Sequence, residues 1–155
     1  ATFAAGSIPT NVSCRLATFP KAPGDRIGEF PLDANDSAVM HLRLANGATG
    51  VVHASRFASG HLNDLTLRLY GTKGGLDVLG NNEKSILRGS LGEDMLSATW
   101  RDLPAPPVPT NYQRFVAAIR SGTPVLPDFA RGAALQKVLD LAVASDEARS
   151  LDMAV

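Results

Sequence analysis

The chain has 155 residues, 45% hydrophobic and 19% charged, with 15 basic side chains against 15 acidic ones. That length and composition exclude a disordered chain and suffice for one domain with a true core. Zero net charge at pH 7 argues against nucleic acid or a membrane surface as partner, since both call for a basic excess.

The chain begins at Ala1 rather than methionine, which reads as a trimmed or excised segment, although removal of an initiator methionine leaves the same start. From Thr10 to Thr18, Val12, Cys14 and Leu16 alternate with Ser13, Arg15 and Ala17, the pattern of a half-buried strand. Pro20 and Ala22-Pro23-Gly24-Asp25 break it. Strands then run from about Ser37 to Ala45 and from Thr49 to Phe57, and Asn46-Gly47 between them predicts a tight two-residue hairpin. Such a turn pairs Met40 with His53, Leu42 with Val51 and Leu44 with Thr49, and sends His41, Arg43 and Arg56 to the other face.

A fourth strand from Asn63 to Tyr70 sets Leu65, Leu67 and Leu69 against Thr66, Arg68 and Tyr70. Past Gly71-Thr72-Lys73-Gly74-Gly75, shorter strands are expected at Leu76 to Leu79, Ser85 to Arg88 and Met95 to Arg101, with turns at Gly80-Asn81-Asn82 and Gly92-Glu93-Asp94. The proline-rich stretch from Leu103 to Pro109 is extended and stiff. Thr110 or Asn111 then caps a helix that Gly122 stops, with Phe115, Ile119 and Tyr112 on one face. Asp128 caps a second helix, to about Arg149, with an apolar stripe of Leu135, Val138, Leu139, Ala142 and Val143. The expected fold is α+β: an open, largely antiparallel or mixed sheet with both helices on its aliphatic face and the arginine-bearing face uncovered. It forms one domain over residues 1–155, with the sheet at about 10–102, the proline link at 103–109 and helices at about 110–149.

Catalytic motifs are few. His41 and His53 fall on opposite faces of the expected hairpin, and no H-E-x-x-H or C-x-x-C spacing occurs, so no metal site is expected. The lone Cys14 excludes an intrachain disulfide, sits on an aliphatic stripe as a packing group, and fits a reducing, cytoplasmic setting. Neither anchor nor signal peptide is expected, because no apolar run approaches the roughly 18–20 residues that span a bilayer. Gly71 to Gly75 leads from strand to strand and so reads as a hairpin turn rather than a phosphate cradle, and no G-x-G-x-x-G fingerprint is present. The acid pairs Asp25 with Glu29 and Glu93 with Asp94 lie in turns as solvated charge. The remaining polar cluster is the link Ser55-Arg56-Phe57-Ala58-Ser59-Gly60-His61-Leu62-Asn63, a set of groups suited to hydroxyls or a carboxylate.

Asp36-Ser37-Ala38, Asn46-Gly47-Ala48-Thr49-Gly50, that link, and Leu69-Tyr70-Gly71-Thr72-Lys73-Gly74-Gly75-Leu76 follow one another in an order and spacing that resembles the C-terminal domain of the Gfo/Idh/MocA oxidoreductases. The tail, with Phe115 to Ile119, Gly122, Pro127-Asp128-Phe129, Gly132 and Val138-Leu139-Asp140, resembles the closing helices of the same domain. The resemblance implies a dihydrodipicolinate-reductase-like C-terminal domain whose open sheet face serves homo-oligomerisation, beside an N-terminal Rossmann domain that holds NAD or NADP. It implies oxidation or reduction of a sugar, polyol or related carbinol. The family's catalytic lysine, and its aspartate and histidine on a preceding helix, are not found here; Asp36 and His41 have the wrong spacing and lie on a predicted strand. No catalytic residue, cofactor or metal is therefore assigned to this chain, which is expected to be inactive alone. Arg56, His61 and Asn63 become candidate substrate contacts. The alternatives are a free-standing ligand-binding module and a structural oligomerisation unit.

Overall fold

A computed structural model describes residues 2–81 and 84–155. The strands are β1 (Pro9–Ala17), β2 (Arg26–Ile27), β3 (Phe30–Pro31), β4 (Ser37–Leu44), β5 (Thr49–Ser55), β6 (Leu65–Gly71), β7 (Gly74–Gly80), β8 (Ser85–Leu91), β9 (Arg101–Asp102) and β10 (Met153–Ala154). The helices are α1 (Asn111–Ser121) and α2 (Phe129–Glu147). Among the described residues every strand pairing is antiparallel, and the strands form two four-stranded sheets, β10-β1-β4-β5 and β6-β7-β8-β9, with β2 and β3 paired apart, in place of the single largely antiparallel or mixed sheet expected. The chain divides accordingly into one unit of Ala1–Ala58 with Leu126–Val155 and a second of Ser59–Val125.

In the first unit, Val12 and Cys14 of β1 and Leu42 and Leu44 of β4 join Val138 and Ala142 of α2 in the core, edged by Leu16, Met40, Val52, Leu141 and Met153. Each fully buried valine or leucine contributes roughly 1.5–3 kcal/mol, enough to fix which sheet face α2 covers. Asp128 caps α2, its Oδ1 accepting from the Arg131 N–H at 2.8 Å. The helix buries only Val138 and Ala142 of the predicted stripe. Leu135, Leu139 and Val143 remain 43–49% exposed, and Val138, Ala142 and Ser145 are the buried residues.

Polar chemistry at the edge of β1 explains the rotation. The Cys14 N–H donates to Ser145 Oγ at 3.0 Å, and the Leu16 N–H to Asp146 Oδ1 at 3.0 Å. Ser145 donates onward to the Leu151 carbonyl at 2.7 Å, and Ser150 Oγ donates to the Cys14 carbonyl at 2.8 Å. Buried backbone groups need partners, so the end of α2 and the turn after it serve β1 where β10 does not reach.

The β4–β5 turn falls where Asn46-Gly47 predicts, but with another geometry. The Gly47 N–H donates to the Leu44 carbonyl at 2.9 Å, the Leu44 N–H to the Ala48 carbonyl at 2.8 Å, and Gly47 has φ +84°. This is a three-residue loop, a turn closed by a left-handed glycine. The pairing becomes Met40 with Val52, His41 with Val51 and Val39 with His53. The extra loop residue turns every β5 side chain over relative to expectation. His41 and His53 therefore share the open face, with Arg15 and Arg43.

In the second unit, the two-residue turn Thr72-Lys73 joins β6 to β7, in line with the hairpin reading. Asn82 of the next predicted turn lies outside the described residues. The strand expected from Met95 to Arg101 is absent: Gly92–Met95 is a 3-10 turn, Arg101 grips Asp94 through two bonds of 2.7 and 2.8 Å, and only Arg101–Asp102 pairs with β8. Thr110 and Gln113 form a reciprocal capping box on α1, and Gly122 closes it at φ +64°. None of the residues of α1 is buried.

Candidate functional site

Arg56 belongs to the first unit, and His61 and Asn63 belong to the second. Around Arg56 the controlling group is Asp36, just ahead of β4 rather than on a strand, with 5% of its surface exposed. Its backbone ties two strand ends together, the N–H donating to the Ala17 carbonyl and the carbonyl accepting from the Arg56 N–H. Its Oδ2 accepts from the Phe19 N–H at 2.9 Å and pairs with Lys21 Nζ at 2.9 Å. The Lys21 ammonium also donates to the carbonyls of Leu32 and Ala34, both at 2.9 Å, so its three donors are occupied. The Phe19 N–H first, then the Lys21 hydrogen bond, with the charges of Lys21 and Arg56, hold the Asp36 carboxyl below the usual carboxylate range against the opposing effect of burial.

A hollow of about 470 Å³ lies here, lined by Lys21, Ile27, Leu32, Asp36, Arg56 and Phe57 among others. Phe57 packs edge-on against Phe19, ring centroids 5.3 Å apart. Among the described residues, the Arg56 guanidinium makes no side-chain hydrogen bond and no ion pair within 4.0 Å.

The lowered Asp36 pKa sets a pH dependence. The folded form takes up a proton less readily than the unfolded chain, so the stabilisation is complete above the ordinary value of 3.8 and is lost as pH falls through the lowered folded value. Urea midpoints of the parent and Asp36→Asn, taken from neutral pH downward, should differ most at neutral pH and converge in acid. A gap that stays constant with pH would mean that the charge of Asp36 contributes nothing.

In the second unit, the link into β6 and the β7–β8 turn meet at one end of the sheet around a hollow of about 270 Å³, lined by His61, Asp64, Thr66, Asn81 and Lys84 together with aliphatic groups. His61 Nδ1 stands 2.6 Å from Asp64 Oδ2. With the Nδ1–H tautomer the ring donates to that carboxylate, and Nε2 is left as an acceptor for a hydroxyl. Asn63 adopts φ +54°, which bends the link between His61 and Asp64. The Lys84 N–H donates to Asn81 Oδ1 at 3.0 Å and shapes the opposite wall.

Sequence reading missed Asp64, Thr66, Asn81 and Lys84 here, and Lys21 and Asp36 in the first unit. The His-x-x-Asp spacing was the one local signal. His41 and His53 share one face, which removes the argument from opposite faces, yet no group of three metal-binding side chains exists among the described residues. Cys14 is 2% exposed, and burial first, with the Asp146 charge second, raises its thiol pKa, in keeping with a packing role.

Two antiparallel sheets and two helices in this order are the fold of an oxidoreductase C-terminal domain. An oxidoreductase domain protein from Kribbella flavida superposes with a TM-score of 0.78 at 25% identity, covering 99% of this chain and 48% of that one. A levoglucosan dehydrogenase solved with NADH and levoglucosan superposes at 0.75 with 26% identity, covering 96% of this chain and 45% of that one. Levoglucosan dehydrogenase from Pseudarthrobacter phenanthrenivorans is 41% identical over 46 residues, 30% of this chain and 12% of that protein. The family model for the GFO/IDH/MocA C-terminal domain matches residues 1–77. The chain belongs to the Gfo/Idh/MocA family and corresponds to its C-terminal domain. It spans less than half the length of these solved relatives.

Proposed function

We propose that the chain is the substrate-side and association domain of an NAD(P)-dependent oxidoreductase acting on a sugar, polyol or related carbinol. The observation that carries this reading is the likeness, across 96% of the chain, to a dehydrogenase solved with NADH and levoglucosan. In this reading a nucleotide-binding domain outside these 155 residues holds NAD or NADP and supplies the catalytic groups, and this domain orients the substrate. His61 Nε2 accepts a hydrogen bond from a substrate hydroxyl. Asn63 and the Arg56 guanidinium donate to oxygens, and the open sheet faces serve a homo-oligomer. The lone buried thiol fits a cytoplasmic setting; no helix among the described residues is long and apolar enough to cross a membrane.

The test is steady-state kinetics on the longer polypeptide that carries this chain with its nucleotide-binding domain. Arg56→Ala, His61→Ala and Asn63→Ala should each raise KM for the sugar by about tenfold, the loss of one hydrogen bond to substrate, and leave kcat nearly unchanged. Three unchanged KM values would favour a purely structural role. Reduction of NAD(P) by the 155-residue chain alone with any polyol would overturn the division of labour.

A further inference from the structure

Around the first unit's hollow, the chain turns its polar groups on itself. The Phe57 N–H donates to Ser55 Oγ at 3.1 Å, the Arg56 N–H to the Asp36 carbonyl at 2.9 Å, and the Lys21 ammonium to Asp36, Leu32 and Ala34. The Arg56 side chain is the exception. It lines the hollow, its residue is exposed, and among the described residues it has neither a hydrogen bond nor an ion pair. Ile27, Pro31 and Phe57 line the same space, and Phe57 is 52% exposed. At about 470 Å³ the hollow falls among small-molecule pockets, which run from about 300 to 1,000 Å³.

These surroundings select a ligand by its charge. A molecule that fills the hollow shields the guanidinium from water, and an apolar wall offers no substitute, so a group of opposite charge is the partner that recovers the loss. The guanidinium is a flat fork that meets a carboxylate through two parallel bonds. A phosphate monoester fits less well, because it carries about −1.5 to −2 charge at pH 7 and calls for further donors. Lys21 has its three donors occupied, and the Asp36 carboxylate, close enough to feel the Arg56 charge, opposes a second negative charge.

We propose that the hollow around Arg56 is a carboxylate site, and that the carbinol substrate of the longer enzyme is a sugar acid. The sugar rests on the oxidoreductase reading above; the acid rests on Arg56. The substrate carboxylate pairs through two bonds with the guanidinium, and the C–H face of its ring lies against Phe57 and Ile27. Asp36 acts as a positioning residue. Its carbonyl holds the Arg56 N–H, while its carboxylate is tied to Lys21 and so does not capture the guanidinium itself.

Calorimetric titration of the 155-residue chain with glucuronate, glucose and glucose 6-phosphate tests this, together with kinetics of the longer polypeptide on glucuronate and glucose. Glucuronate should bind the chain at least about tenfold more tightly than either of the others. Arg56→Gln should weaken glucuronate on the order of 100-fold and glucose by no more than about tenfold. Arg56→Lys keeps the charge without the fork, and its loss for glucuronate should fall between those of the parent and Arg56→Gln. Circular dichroism verifies that each variant folds. In the longer polypeptide the preference should appear as a lower KM for the acid, lost in Arg56→Gln. Equal or undetectable binding of glucuronate and glucose, or a preference untouched by Arg56→Gln, would overturn the carboxylate site and leave the oxidoreductase reading standing. Tightest binding by glucose 6-phosphate would overturn the choice of carboxylate. Glucuronate bound through Arg56, with no NAD(P)-linked turnover of either sugar by the longer polypeptide, would support the site and overturn its use on a substrate.

Discussion

Replacing Ser145 by alanine should lower the stability of the first unit by about 2–4 kcal/mol, although only one oxygen atom is removed. That oxygen is fully buried, accepts from the Cys14 N–H and donates to the Leu151 carbonyl. Deleting it orphans a strand donor and a loop acceptor at once, in a place water does not reach. Ser97, an exposed hydroxyl bonded to Thr99, is the matched control and should change stability by no more than about 0.5 kcal/mol on the same substitution. Urea denaturation measures both, and hydrogen exchange at the Cys14 amide should accelerate in the Ser145 variant alone. Equal effects at the two serines would show that the contacts of Ser145 are dispensable.

The Gly74→Ala variant should lose about 3 kcal/mol or more, for a backbone reason. Gly74 opens β7 at φ +140°, and a methyl group there would sit 2.5 Å from the Ser90 carbonyl oxygen and 2.6 Å from Leu91 Cδ2. The leucine can rotate away, but the carbonyl belongs to the neighbouring strand and cannot move without breaking the pairing. Gly47 also has positive φ, yet nothing lies within 4 Å of its missing Cβ, so Gly47→Ala should cost only about 1 kcal/mol. Melting curves of the two variants separate crowding from conformational strain. A Gly47 variant as unstable as the Gly74 variant would show that the sign of φ alone matters.

Features governed by neighbouring residues were legible in the sequence. The alternation of Val12, Cys14 and Leu16 marks a strand whose first two apolar side chains are buried, and Thr110 and Gly122 mark the two ends of α1. Features governed by one extra residue or by distant partners were not. Asn46-Gly47 suits both a two-residue and a three-residue loop, and choosing between them decides which face His53 takes. The orientation of α2 follows from Ser145 and Asp146 reaching β1 some 130 positions away, which an apolar stripe cannot reveal. The stretch from Met95 to Arg101 alternates well enough for a strand, but the Asp94–Arg101 clamp bends it back.

The candidate site was legible as a composition and not as an arrangement. Arg56, His61 and Asn63 stand out because they interrupt a hydrophobic pattern with hydrogen-bonding groups. Nothing in their order reveals that His61 finds a carboxylate three residues on, or that Asn81 and Lys84 come from a separate turn to line the same hollow. Lys21 and Asp36 lie 15 positions apart, and only the excursion through β2 and β3 brings them together.

That bridge also decides the electrical character of its hollow. Lys21 and Asp36 cancel, and the lysine's donors are spent on holding its own chain. The cation left over at the rim is Arg56, a flat guanidinium beside an aromatic ring. To an approaching molecule the cleft is thus a single positive plate and not a zwitterion. It would favour guests rich in oxygen lone pairs, and added electrolyte should weaken that preference.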